Sequence, residues 1–292
     1  MLPIPSTGEP ASFGERAPVQ EAQLGWQGAR FLRLSPQRSQ LPGSFGLFGK
    51  KDEPPCPDQG AVEPTLAPWE ILFSARAAGG MTANIDELLR IASPALSEST
   101  PRLTEECSAL AGALARELLA LLWARNGFYA FESALHVRLV SDLIGELGIE
   151  EWNAPYLWRS SYRGLADNLL FLAEDIFGGQ FGIADGAVHR FDPETGDRQQ
   201  IATSLDAWAD LVLSESRSQT GWPLAHEWQE RFGALPKGKR LVPRLPLVLG
   251  GEFKVANLHA LESVKAMRFY ADLAIQLHNA RDGSQVQLRI VE

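Results

Sequence analysis

Asp192, Glu194 and Asp197 lie close together and have the oxygen ligands that calcium takes. Their spacing is not that of an EF-hand, which needs a twelve-residue loop ending in a bidentate glutamate. The stretch Asp192-Pro193-Glu194-Thr195-Gly196 already explains itself as a hairpin turn. Glu174-Asp175 could supply an acid or a base, but neighbours on a strand point to opposite faces and do not form a working pair. They are expected at a solvated strand end or capping the turn that follows. The histidines His136, His189, His226, His259 and His278 include no H-E-x-x-H pair. His136 and His189 are expected on the polar sides of strands. Gly178-Gly179 and Gly250-Gly251 lack the spacing of a phosphate loop and read as turns. Cys56 and Cys107 are too few for a disulfide framework or a cysteine-rich zinc site. No catalytic residue, metal set or cofactor site follows from these patterns, and the expectation is a protein without enzymatic activity.

The elements that would position these residues fall into two parts. Residues 1–80 hold 10 Gly and 11 Pro, in the range of low-complexity chain, and show no period of 2 or 3.6. They read as a disordered segment or a mis-assigned extension, with folded structure starting near Met81 and continuing over 81–292. Leu110, Leu114, Leu118, Leu121 and Leu122 line one face of a long helix from about Thr104 to Arg125. Ala134–Val140 alternates as a strand, and Ser141 to Leu147 reads as a short helix. The aromatic segment Glu150–Gly164 has no period and reads as a loop.

From Leu169 a meander is expected: strands Leu169–Ala173, Gln180–Ile183, Ala187–Phe191 and Arg198–Ala202, with turn residues at each bend. Thr203 or Ser204 caps a helix Leu205–Ser214, with Asp206 placed as in a capping box after Thr203. Pro223 opens another helix that ends at Gly233. Leu245–Leu249 reads as a strand, a helical face runs from Leu261 to His278, and Val286, Leu288 and Ile290 alternate as a last strand. The fold class is α+β: a mainly antiparallel sheet, with a central meander, packed with several helices.

The order of these segments resembles the SUKH superfamily, the cell-wall-assembly-regulator-like proteins of bacteria. The matching residues are Asn126-Gly127-Phe128 after the long helix, Ala134-Leu135-His136-Val137, Phe171 to Asp175, Phe177 to Phe181, Val188 to Gly196, and Ser204 to Trp208. The likeness covers roughly residues 100–215. Where members often carry a Pro-x-x-Tyr-like segment, this chain has Leu103-Thr104-Glu105-Glu106-Cys107. The resemblance implies an immunity protein that binds and blocks a cognate bacterial toxin, often a nuclease; other members resemble regulatory or scaffolding modules.

The formal charge of −9 argues against a nucleic-acid binder, which needs a basic face, and favours a basic protein partner. No apolar run reaches the ~18 residues of a membrane span, and a cytoplasmic location is expected. The partner surface is expected at Glu150, Glu151, Trp152, Tyr156, Trp158 and Tyr162, together with the acidic turn at Asp185.

Overall fold

The computed structural model describes residues 83–140 and 147–280. The segment 1–80, most of the helix expected after Ser141, and the last strand lie outside the described residues. The described residues fall within one compact unit.

Six strands form one antiparallel sheet in sequential order: β1 Phe128–Ala130, β2 Leu135–Val137, β3 Leu170–Asp175, β4 Gln180–Ala184, β5 Ala187–Phe191 and β6 Arg198–Ala202. The meander is therefore as the alternation and turn residues predict. Asp185-Gly186 makes the tight β4–β5 turn, with φ of 51° and 72°, the left-handed pair that matches strand twist. Gly179 answers a different demand, because a Cβ there would lie 2.6 Å from the Arg190 guanidinium and 2.7 Å from the Asp175 carboxylate.

The central strands are buried on both faces. Leu170, Leu172, Phe181, Ile183 and Val188 join a core with the helices α1 Ala83–Ile91, α2 Glu105–Ala111, α3 Ala115–Ala124 and α5 Leu205–Ser214. Phe171 and Phe191 face a second core, against the short helix α4 Ile149–Asn153, the 3-10 turn Arg159–Tyr162 and the C-terminal helix α8 Ser263–Asn279. Between α5 and α8 come α6 Ser216–Thr220, α7 Trp222–Phe232 and the strand pair β7 Lys239–Pro243 and β8 Leu258–Glu262. A third core joins α7 to that pair.

Several expectations are corrected. The long helix is interrupted by a 3-10 turn at Gly112–Leu114, where Gly112 takes φ of 53°. The stretch Glu105–Ala124 has the length and apolar content of a membrane span, but Leu114, Leu118, Leu121 and Leu122 are packed in the first core. The segment read as an aromatic loop contains α4 and a 3-10 turn. Leu247–Leu249 is a 3-10 turn rather than a strand; the strand lies just before it, at Lys239–Pro243. Ser204 is the cap of α5, its Oγ accepting from the Ala207 N–H at 3.0 Å. Asp206 makes no capping box: its carboxylate accepts from Asn84 Nδ2 and the Ile85 N–H and so ties α1 to α5.

Candidate functional site

Two polar arrangements stand out, one sealed and one open. The sealed one centres on Glu174 of β3, which is 1% exposed. Arg138 Nη2 lies 2.8 Å from its Oε2, and Arg240 Nη2 of β7 lies 2.7 Å from its Oε1. His136 Nδ1 is 3.2 Å from Oε1, and Gln180 Nε2 donates to Oε2 at 3.3 Å. Burial pushes the Glu174 carboxyl up, but the two guanidiniums and the histidine outweigh it and hold it below the usual carboxylate range. Burial, aided by the nearby guanidiniums, lowers His136 to about 3, so its imidazole is neutral. Burial also lowers Arg138, to about 10, which leaves it charged at neutral pH. Two cations thus face one carboxylate. The Trp152 ring, with its centroid 3.4 Å from Arg138 Cζ, takes up part of that excess.

Asp175, next along β3, serves the turn instead. Its Oδ1 accepts from the N–H groups of Phe177 and Gly179, both at 2.8 Å, and its Oδ2 pairs with Arg190. Asp175 caps the turn as expected; Glu174 is not solvated, because β7 brings Arg240 over it. Neither carboxylate is open to a reactant. Glu194 likewise exceeds its expected turn role, its two oxygens accepting from the N–H groups of Leu247 and Val248. Among the described residues, no group of three His, Cys, Asp or Glu side chains could hold a metal ion. His136 is buried, against the expectation of a polar strand face. His189 is half-buried, and its ring nitrogens have no hydrogen-bond partner among the described residues.

The open arrangement lies where α2 and α4 begin. The Thr104 N–H donates to Glu150 Oε1 at 3.2 Å, and the Thr104 hydroxyl accepts from the Cys107 N–H at 3.3 Å. This joint brings the first turn of α2, with Glu105 and Glu106, beside the first turn of α4, with Glu150 and Glu151. All four carboxylates are exposed. Negative charge is favoured there by both helix dipoles. Cys107 beneath them is raised, chiefly by burial, with Glu150 and Glu106 adding to the shift.

The expected contact residues divide. Glu150, Glu151 and Tyr156 are exposed, Tyr156 at 76%. Trp152, Trp158 and Tyr162 are fully buried, which withdraws them from the surface. Each secures the segment to a different partner. Trp152 Nε1 donates to Gln180 Oε1 at 2.9 Å, Trp158 packs on Phe171 with centroids 5.3 Å apart, and the Tyr162 hydroxyl donates to the Pro193 carbonyl at 2.9 Å. Asp185 is exposed but belongs elsewhere: the neighbouring Gly186 faces Ala113, beyond the C-terminal end of α2. Glu105 and Glu106 are absent from the expected set, although the capping threonine followed by two acids was a readable signal.

No protein-family model matches this chain, and no curated protein matches it. The chain is similar to a solved structure titled "Crystal structure of Atu4351 from Agrobacterium tumefaciens", with 14% identity over 65% of this chain and 88% of that one, and a TM-score of 0.43.

Proposed function

We propose that this is a non-catalytic binding protein that captures a basic protein partner on the face formed by Glu105, Glu106, Glu150 and Glu151, with Tyr156 as its aromatic contact. The observation that carries this reading is the joining of two acidic helix starts by the Thr104–Glu150 hydrogen bond, with all four carboxylates exposed. Such a surface speeds encounter with a basic partner and selects for it. Tyr156 adds a rigid amphipathic side chain of the kind that anchors interfaces. Non-catalysis is supported by the enclosure of Glu174 and Asp175, adjacent carboxylates engaged by protein groups.

The finer reading is immunity: the partner is a bacterial toxin domain, often a nuclease, as the SUKH resemblance implies. Co-expression with the product of a neighbouring toxin gene tests it. Immunity requires rescued growth and a stoichiometric complex that the substitutions Glu150→Lys and Glu151→Lys weaken. Complex formation with a protein that is not toxic would instead favour a regulatory module.

A further inference from the structure

The turn between β1 and β2 holds three successive non-glycine residues in the left-handed region: Phe131 (φ 50°), Glu132 (φ 54°) and Ser133 (φ 70°). L-residues enter this region singly, and a run of three needs support from outside the turn. The support comes from α7. His226 Nδ1 lies 2.7 Å from Glu132 Oε2, and Gln229 Nε2 donates to the Glu132 carbonyl at 2.9 Å. Within the turn, the Ala134 N–H donates to the Phe131 carbonyl at 3.0 Å. Phe131 packs against both the first and the third core, so the turn sits at the seam between them.

We propose that this turn is a proton-operated clamp. Protonated His226 holds Glu132 and with it the left-handed turn; deprotonation loosens the turn and the seat of Phe131 at the seam. The pair is reachable by solvent protons, since the two side chains are 45% and 48% exposed. The groups facing His226 are Glu132 from the turn, Glu230 on its own helix at 3.5 Å from Nε2, and the uncharged Trp222 ring. Both carboxylates favour the imidazolium, and the hydrogen bond to Glu132 is the main reason that His226 titrates above the usual histidine value. The clamp is therefore complete below the ordinary histidine range and is lost as pH rises through the raised value. The Gln229 bond does not titrate and keeps the turn from unfolding outright.

Amide hydrogen exchange of the full chain, corrected for intrinsic rates, tests the clamp at Ala134. Protection should fall about twofold to fivefold between pH 5.5 and 8, the range expected of an exposed pair. His226→Gln should show the lower protection at both pH values, and His226→Arg the higher at both, while the Phe181 amide in β4 stays unchanged. Flat protection in the parent chain, or an undiminished fall in His226→Gln, would overturn the proposal. So would an NMR titration placing His226 at or below 6.5.

Discussion

Glu174 and Glu150 differ mainly in what lies over them. Glu174 is closed under β7, holds two guanidiniums, and has no path to solvent. Glu150 is exposed at a helix start, where one of its oxygens accepts from the Thr104 N–H. The sealed cluster fixes where β7 and α4 sit against the sheet, because Arg240 and the Trp152–Gln180 bond both converge there. The open cluster depends on that placement, since α4 carries Glu150 and Glu151. The same residue type thus serves architecture in one place and, in the proposed reading, recognition in the other, and the difference should appear when each is altered.

Removing one partner of the sealed cluster is expected to have the largest effect. Glu174→Ala leaves the buried Arg138 and Arg240 guanidiniums without their counterion and should cost about 3–5 kcal/mol in chemical denaturation. Replacing the three charged members by apolar residues, with Arg138→Met, Glu174→Leu and Arg240→Met, should cost less than the single substitution, because no uncompensated charge remains. An equal or larger loss in the triple variant would show that the charges themselves stabilise this fold.

The aromatics sharpen the contrast. Trp158→Ala should cost about 3–5 kcal/mol, as a buried aromatic leaves a cavity. Tyr156→Ala, exposed on the same segment, should stay within about 0.5 kcal/mol. Denaturation midpoints at a common slope distinguish the two.

The pH dependence separates the clusters further. His136 titrates at about 3 when folded against 6.5 when free. Its contribution is therefore present above 6.5 and is lost as pH falls from there toward 3. Glu174, held below its ordinary 4.5, adds loss in the same direction below that value. Stability should fall with acidification by up to ~1.4 kcal/mol per pH unit between 6.5 and 4.5, and His136→Asn should flatten that slope. Glu150→Gln and Glu151→Gln should leave stability within about 0.5 kcal/mol, the smallest effect on the fold.

The meander was legible because its turns and its alternation are local. Asp185-Gly186 and Asp192 to Gly196 mark their bends without help from distant chain. α5 and α7 were legible for the same reason, through Ser204 and Pro223. The sealed cluster was not: Arg138, Glu174 and Arg240 are joined only by tertiary packing, and nothing near Glu174 in sequence marks it as buried. Trp152, Trp158 and Tyr162 were ambiguous for a related reason. An aromatic has no period of its own in an irregular segment, so sequence could not show which rings turn inward. At Leu245–Leu249 an apolar run suggested a strand, but the Glu194 carboxylate accepts two backbone N–H groups there and holds a 3-10 turn.

The central claim is recognition through the open acidic face. Its most direct test is the association rate of the full chain with the basic protein partner recovered by co-expression, measured across salt concentrations for the parent chain and for Glu105→Gln, Glu106→Gln, Glu150→Gln and Glu151→Gln combined. The account predicts a rate that falls with salt in the parent chain, and a slower rate with a shallower salt dependence in the variant. Equal rates and equal salt dependence in the two chains would contradict it.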